Sequence, residues 1–206
     1  MSKPSPRHRT ALVLGCESPA GRAIALTLSR NGCRVVVSGD DAAKLKVLSD
    51  LIEAKKGDPL LTALPKDPAR VVPVLRAARE TMGHYHFVVN ALATVEPPVD
   101  DPQAAYRRAA TLHEHVLQLT EGRGTVRFLT LWPDDAGPAP LVPIPNWHCV
   151  VRYDRIQMES EEQEPTAIRA GGAADTVALL LGAPASACPA EVRLAIRELK
   201  SLRDDE

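Results

Sequence analysis

Aromatic side chains are nearly missing from this chain: Phe, Trp and Tyr together make up 3% of 206 residues. The core must therefore be aliphatic, and little is left for stacking on bases or sugars. Paired cysteines are missing too. Cys16, Cys33, Cys149 and Cys188 stand singly, with no C-x-x-C spacing. That excludes a disulfide scaffold and a zinc knuckle, and reduced, buried thiols are expected. A surplus of one charge is also lacking. Lys and Arg number 25 against 26 Asp and Glu, a formal charge of -1. Nothing in that balance points to nucleic acid or an anionic membrane surface. No apolar run approaches the roughly 18 residues of a membrane span. The basic stretch 1–9 is not followed by a signal-peptide core, so it reads as a disordered tail and a cytoplasmic location is expected. Lysine itself disappears between Lys66 and Lys200.

What is present is ordinary for a folded domain: 45% hydrophobic and 25% charged residues. One domain over 10–199 is expected, followed by a polar tail, 200–206. Proline is abundant, with 18 residues, and Pro133, Pro138, Pro140, Pro143 and Pro145 crowd into one stretch that cannot be regular structure. Elsewhere short β-branched runs alternate with helical stripes. Strands are expected at 10–15, 34–38, 60–64, 87–91, 124–131, 166–169 and 191–199. The helix after the first strand is expected over 20–31, with Gly32 as its left-handed end. Asp40 or Asp41 caps the next helix, and Gly57 stops it. A third helix begins near Asp67-Pro68, with Pro73 kinking it or delaying its onset by a turn. Further helices are expected over 102–120, 147–162 and 173–181. This alternation implies right-handed βαβ units: a doubly wound, Rossmann-type parallel sheet of about seven strands in a single α/β domain.

The loop Gly15-Cys-Glu-Ser-Pro-Ala-Gly21 joins the first strand to its helix. Here the chain resembles the short-chain dehydrogenase/reductase family, whose glycine motif reads TGxxxGxG. Gly15 and Gly21 fall on the outer glycines, and Pro19 falls on the middle one. The middle glycine lets the backbone approach a pyrophosphate; proline removes an N–H and adds a ring there. Glu17 adds a carboxylate beside the helix N-terminus, where an anion would dock. Gly15 and Gly21 then serve the tight turn and helix–strand packing.

Further departures from the family pattern follow. Asp40 stands where the family often carries an Arg for the 2′-phosphate of NADP; its carboxylate suits a ribose hydroxyl, which would favour NAD, as well as a helix cap. Leu64 replaces its adenine-contacting Asp. The NNAG motif reads Val89-Asn90-Ala91-Leu92, and the catalytic Ser falls on Leu131 or Thr130. Nothing fits Tyr-xxx-Lys: Ile144 lies among the prolines, Trp147 has Val151 four on, and Tyr153 has Gln157 four on. Hydride transfer to a ketone needs a proton donor, and a Tyr serves only if a nearby cation lowers its pKa. Arg152 and Arg155 flank Tyr153 but point off its face if this segment is helical. The resemblance thus leaves a vestigial NAD(P) site at Gly15, Gly21 and Asn90, with no catalytic set, no metal site and no tightly held cofactor.

His84 and His86 could share a face, but are read as solvated. His113 and His115, two apart on a helix, point different ways. The closing run 173–199 resembles the family's helix and strand that make its second subunit contact. Val177, Leu179, Leu180 and Leu181, with Val192, Leu194 and Ile196, supply aliphatic surface, while Arg193 and Arg197 face the other way, toward a partner's carboxylates. The expected function is a catalytically inactive subunit that assembles with, and stabilises or regulates, an active NAD(P)-dependent relative, or that self-associates through 173–199. The alternatives are an oxidoreductase with an atypical acid and a nucleotide-sensing or partner-binding module.

Overall fold

The computed structural model describes residues 9–65, 67, 70–96, 101, 103–120, 126–136, 138–139, 148–154, 156–157, 168–184, 187 and 189–194. Strand β1 (Thr10–Leu14) is buried along its whole length, as a run of TALVL flanked by other strands must be. Around it lie β2 (Arg34–Gly39), β3 (Pro59–Ala63), β4 (Tyr85–Asn90), β5 (Arg127–Pro133), β6 (His148–Tyr153) and a closing strand, Glu191–Leu194. The order is β3-β2-β1-β4-β5-β6 and then the closing strand, every pair parallel. The expected seven-stranded Rossmann sheet is therefore present. Two short strands, β7 (Ile156–Gln157) and β8 (Ile168–Arg169), form a separate parallel pair, so the closing strand is β9.

Helix α1 (Pro19–Arg30) starts where the local chemistry says it should. The Ser18 side chain accepts from the Gly21 N–H, and Pro19 takes the first helical position, where a missing N–H costs nothing. Helix α2 (Ala42–Ala54) is capped by Asp41, which accepts from the N–H groups of Ala43 and Lys44; Asp40 has other work. Helix α3 (Val71–Met82) begins late, with Pro73 tolerated inside its first turn. Helix α4 covers Ala104–Thr120 and α5 covers Ala170–Gly182. The Arg127 guanidinium bonds the carbonyls of Leu181 and Ala183, closing the C-terminal end of α5 with a cation.

Two aliphatic cores result. Ile24, Leu28, Leu45, Leu48, Val177 and Leu181 of α1, α2 and α5 pack on one face of the sheet. Leu75, Met82, Ala109, Leu112 and Val116 of α3 and α4 pack on the other. Cys16, Cys33 and Cys149 are buried free thiols, as expected, while Cys188 lies outside the described residues. No helix among the described residues is long and apolar enough to cross a membrane, and they hold no group of three potential metal ligands.

Two expectations are corrected. The segment expected to be a helix over 147–162 holds strand β6 instead. Val150 and Val151 sit in the middle of it, and β-branched side chains on a pleated, two-sided surface outweigh the polar spacing that suggested a helix. Of the expected sixth strand, 166–169, the described residues Ile168–Arg169 form β8, outside the main sheet. The closing strand is described only to Leu194. Val192 and Leu194 pack against the first core and Arg193 bonds Asp134, all within this chain, whereas Leu179 is 74% exposed. Ile196, Arg197 and both expected tails, beyond Arg9, lie outside the described residues.

Candidate functional site

In a doubly wound sheet a ligand enters outside the carboxyl ends of the strands, where the order reverses. Here that point lies between β1 and β4. Gly15 ends β1 at φ +80°, and a Cβ on it would stand 2.8 Å from the Ala91 carbonyl group after β4. Gly21 packs so closely on Gly15 that a Cβ would overlap the Gly15 carbonyl oxygen. Both glycines therefore do the packing expected of them.

The loops above this point are tied to one another. The Ser18 hydroxyl is 2.8 Å from the Gly15 carbonyl and 2.6 Å from the Thr94 hydroxyl, which in turn is 2.7 Å from the Ala91 carbonyl. Tyr153, at the end of β6, donates its hydroxyl to the Ala93 carbonyl at 3.0 Å. Asn90 is fully buried; its amide donates to the Ala109 carbonyl and its oxygen accepts from the Leu92 N–H. Asn90 thus spends its polar atoms on holding α4 and the β4 loop.

Beside the crevice lies a cleft of about 250 Å³, lined by Glu17, Asp40, Leu92, Val95, Glu96, Ala104, Ala105 and Arg108. Glu17 crosses from the β1 loop to the end of β2. Its Oε1 accepts from the Asp40 N–H at 3.0 Å, and a Cβ on Gly39 would collide with its carboxylate. Its Oε2 is buried without a hydrogen-bond partner, and burial raises the pKa of the group. Asp40 pairs with Arg108 of α4 at 2.5 Å. Leu64 is buried, its N–H donating to the Gly39 carbonyl.

A nicotinamide dinucleotide would meet the Glu17 carboxylate here. The cleft shares Ala104 and Arg108 with a second one of about 450 Å³ that runs along α4. The Glu17 carboxylate lies over the end of β2, where a ribose would sit, whereas Asp40 beside it is the kind of acidic group that binds ribose hydroxyls.

The catalytic Ser position also has a different tenant. Leu131 points into the first core. Thr130 is fully buried between two imidazoles: its hydroxyl lies 3.3 Å from His113 Nδ1 and 3.2 Å from His148 Nε2. Burial holds both histidines down at a pKa of about 4, with the His148 charge a further cause for His113. His113 Nε2 is buried without a hydrogen-bond partner. His115, by contrast, is half-buried, with its Nδ1 2.8 Å from the Thr111 carbonyl, so the two do point different ways. The sequence reading missed the His113–His148 contact. The available signal was that His113 shares the helical stripe of Ala109, Leu112 and Val116.

His84 and His86 stack edge to face with centroids 5.7 Å apart. His86 is not a loop residue: it sits in β4 at a register shift against β1, where its Nδ1 accepts the Thr10 N–H. The ring replaces a missing ladder acceptor.

Tyr153 stands in a strand, not on a helix, with its proton committed to a carbonyl. Tyr153→Phe should therefore cost about 1 kcal/mol of stability, the net worth of a hydrogen bond. It should leave the turnover of any assembly containing this chain unchanged, as paired melting curves and rate assays would show.

No protein-family profile matches the chain. A Streptomyces sp. (strain C5) protein named as a daunorubicin C-13 ketoreductase is 36% identical over 89 residues, 39% of this chain. The match spans only 29% of that protein. Solved structures resemble the chain across nearly its whole length. A short-chain dehydrogenase/reductase from Serratia marcescens superposes with a TM-score of 0.70 at 15% identity, covering 92% of this chain and 97% of that one. Actinorhodin polyketide ketoreductase with NADPH gives 0.70 at 16%, covering 95% and 98%. A hydroxysteroid dehydrogenase from Escherichia coli gives 0.70 at 16%, covering 93% and 98%. The fold is the one these solved structures share.

Proposed function

We propose that this chain is a short-chain dehydrogenase/reductase-like subunit that performs no hydride transfer itself and assembles with an active NAD(P)-dependent relative, which it stabilises or regulates. The observation that carries the reading is the short interval between β5 and β6. Between Pro133 and His148 only fourteen positions intervene, 134–147, and they begin with a 3-10 turn, Asp134–Ala136. The family resemblance puts the Tyr-xxx-Lys helix in this crossover. Parallel strands need a connection of a dozen or more residues merely to return, so a connection this short leaves little for a long helix. Tyr153, the first tyrosine after β5, is already in the sheet.

Two further features support the reading. Thr130 at the Ser position is engaged by His113 and His148, and the loops after β1 and β4 are bonded to each other across the switch point. Assembly rests on the fold itself, a Rossmann sheet whose closing strand leaves an edge beside Glu191 and Arg193, both exposed.

The test has two arms. Purified chain with NADH or NADPH and a panel of ketones and quinones should give no turnover above background. Tagged chain recovered from its native source should bring down a dehydrogenase whose activity or stability changes when the two are separated. Turnover by the isolated chain that Tyr153→Phe abolishes would overturn the reading.

A further inference from the structure

Glu17 carries one step more, which rests on the reading that the cleft takes no dinucleotide. Its side chain does not extend into solvent from the β1 loop, as an unpaired carboxylate ordinarily would. It folds back over Gly39 and accepts the Asp40 N–H, bridging two loops whose sequence positions differ by more than twenty. Gly39 is the complement of that pose, since any side chain there would displace the carboxylate. The remaining charged groups lining the cleft are Asp40, Arg108 and Glu96, and Asp40 and Arg108 are engaged with each other. The end of β2 is where a dinucleotide-binding sheet presents an acidic group to a ribose. Here a carboxylate from the neighbouring loop lies over that same spot.

We propose that Glu17 is a built-in occupant of the nucleoside position. Its side chain fills the place of a ribose and joins the β1 loop to β2, giving the chain a closed site without a nucleotide. Both the volume and the charge of Glu17 exclude a dinucleotide, and the volume is the larger part.

The experiment compares the full chain with Glu17→Ala, which empties the position, and Glu17→Gln, which keeps the volume and the acceptor but removes the charge. NADH is the probe, read by its own fluorescence on titration and by thermal melting. The expected result is at least about tenfold tighter NADH binding by Glu17→Ala than by the wild type. Glu17→Ala should also melt lower and regain part of the loss with millimolar NADH. Glu17→Gln should stay close to the wild type in both respects.

Glu17→Gln binding as well as Glu17→Ala would overturn the volume argument. A folded Glu17→Ala that binds no better than the wild type would overturn the role of Glu17 while leaving the non-catalytic reading intact. Low-micromolar binding by the wild type would instead overturn that reading. If Glu17→Ala does not fold, Glu17→Ser carries the same comparison. Failure of both to fold even with NADH would make Glu17 a purely structural brace and overturn the proposal.

Discussion

Lowering the pH from 7 to 4.5 should remove about 4–5 kcal/mol of stability, most of it through His113 and His148. Both rings have a folded-state pKa of about 4, against about 6.5 in an unfolded chain. The sign follows from proton uptake. Between pH 6.5 and 4 the unfolded chain binds protons that the folded chain refuses, so stability is full above 6.5 and falls as the pH drops. Each ring contributes about 2 kcal/mol by pH 4.5. His148 is the more exposed of the two and gives the smaller share. His86 acts in the same direction: its pKa is lowered chiefly by burial, and its protonation would take away the acceptor of the Thr10 N–H. Glu17 acts in the opposite direction, because a raised carboxyl pKa lets the folded state bind a proton first.

Against a total stability of about 5–15 kcal/mol, such a loss is close to unfolding. Urea titrations at the two pH values measure it. His113→Met should flatten the dependence and, by removing an unsatisfied buried nitrogen, should not weaken the protein at pH 7. Equal stability at both pH values, or an unaltered slope in His113→Met, would contradict the assignment.

Gly21→Ala should cost about 4 kcal/mol or more and leave little folded protein at 37 °C. The added methyl would overlap the Gly15 carbonyl oxygen. Neither backbone can yield: the Gly15 carbonyl accepts from Ser18, and Gly15 itself lies against the Ala91 carbonyl. Gly172→Ala is the internal control. A Cβ there meets nothing within 4 Å, and the residue is exposed inside α5. It should stabilise by up to about 1 kcal/mol, through helix propensity and a less disordered unfolded chain. Calorimetric melting of the two variants decides this. Similar melting temperatures would mean that Gly21 is not the contact holding α1 to the sheet.

The fold was legible because most of its signals are local. TALVL and RVVVS read as buried parallel strands without knowledge of their partners, and Ser18, Pro19 and Asp41 mark helix starts by their own side chains. Strand β6 was not legible in this way. Its six residues carry His148 and Arg152, whose polarity is matched only across the sheet, by Thr130 and Glu191. The candidate site divides along the same line. Gly15, Gly21 and Asn90 could be placed from one loop and one strand end. That Glu17 would lie over Gly39, and that His113 would meet His148, depends on contacts between distant segments, and no periodicity encodes them. Gly39 was the nearest hint: a strand that ends in glycine leaves room for something else to approach.

On the function proposed above, the switch-point crevice and its cleft do not accept a nicotinamide dinucleotide. Calorimetric titration of the full chain with NADPH, and separately with NADH, tests it most directly. Relative to a micromolar site, a deficit of about 4 kcal/mol corresponds to roughly a thousandfold weaker binding, so no saturation below the millimolar range is expected for either nucleotide. Saturable binding of either one in the low-micromolar range would contradict the account.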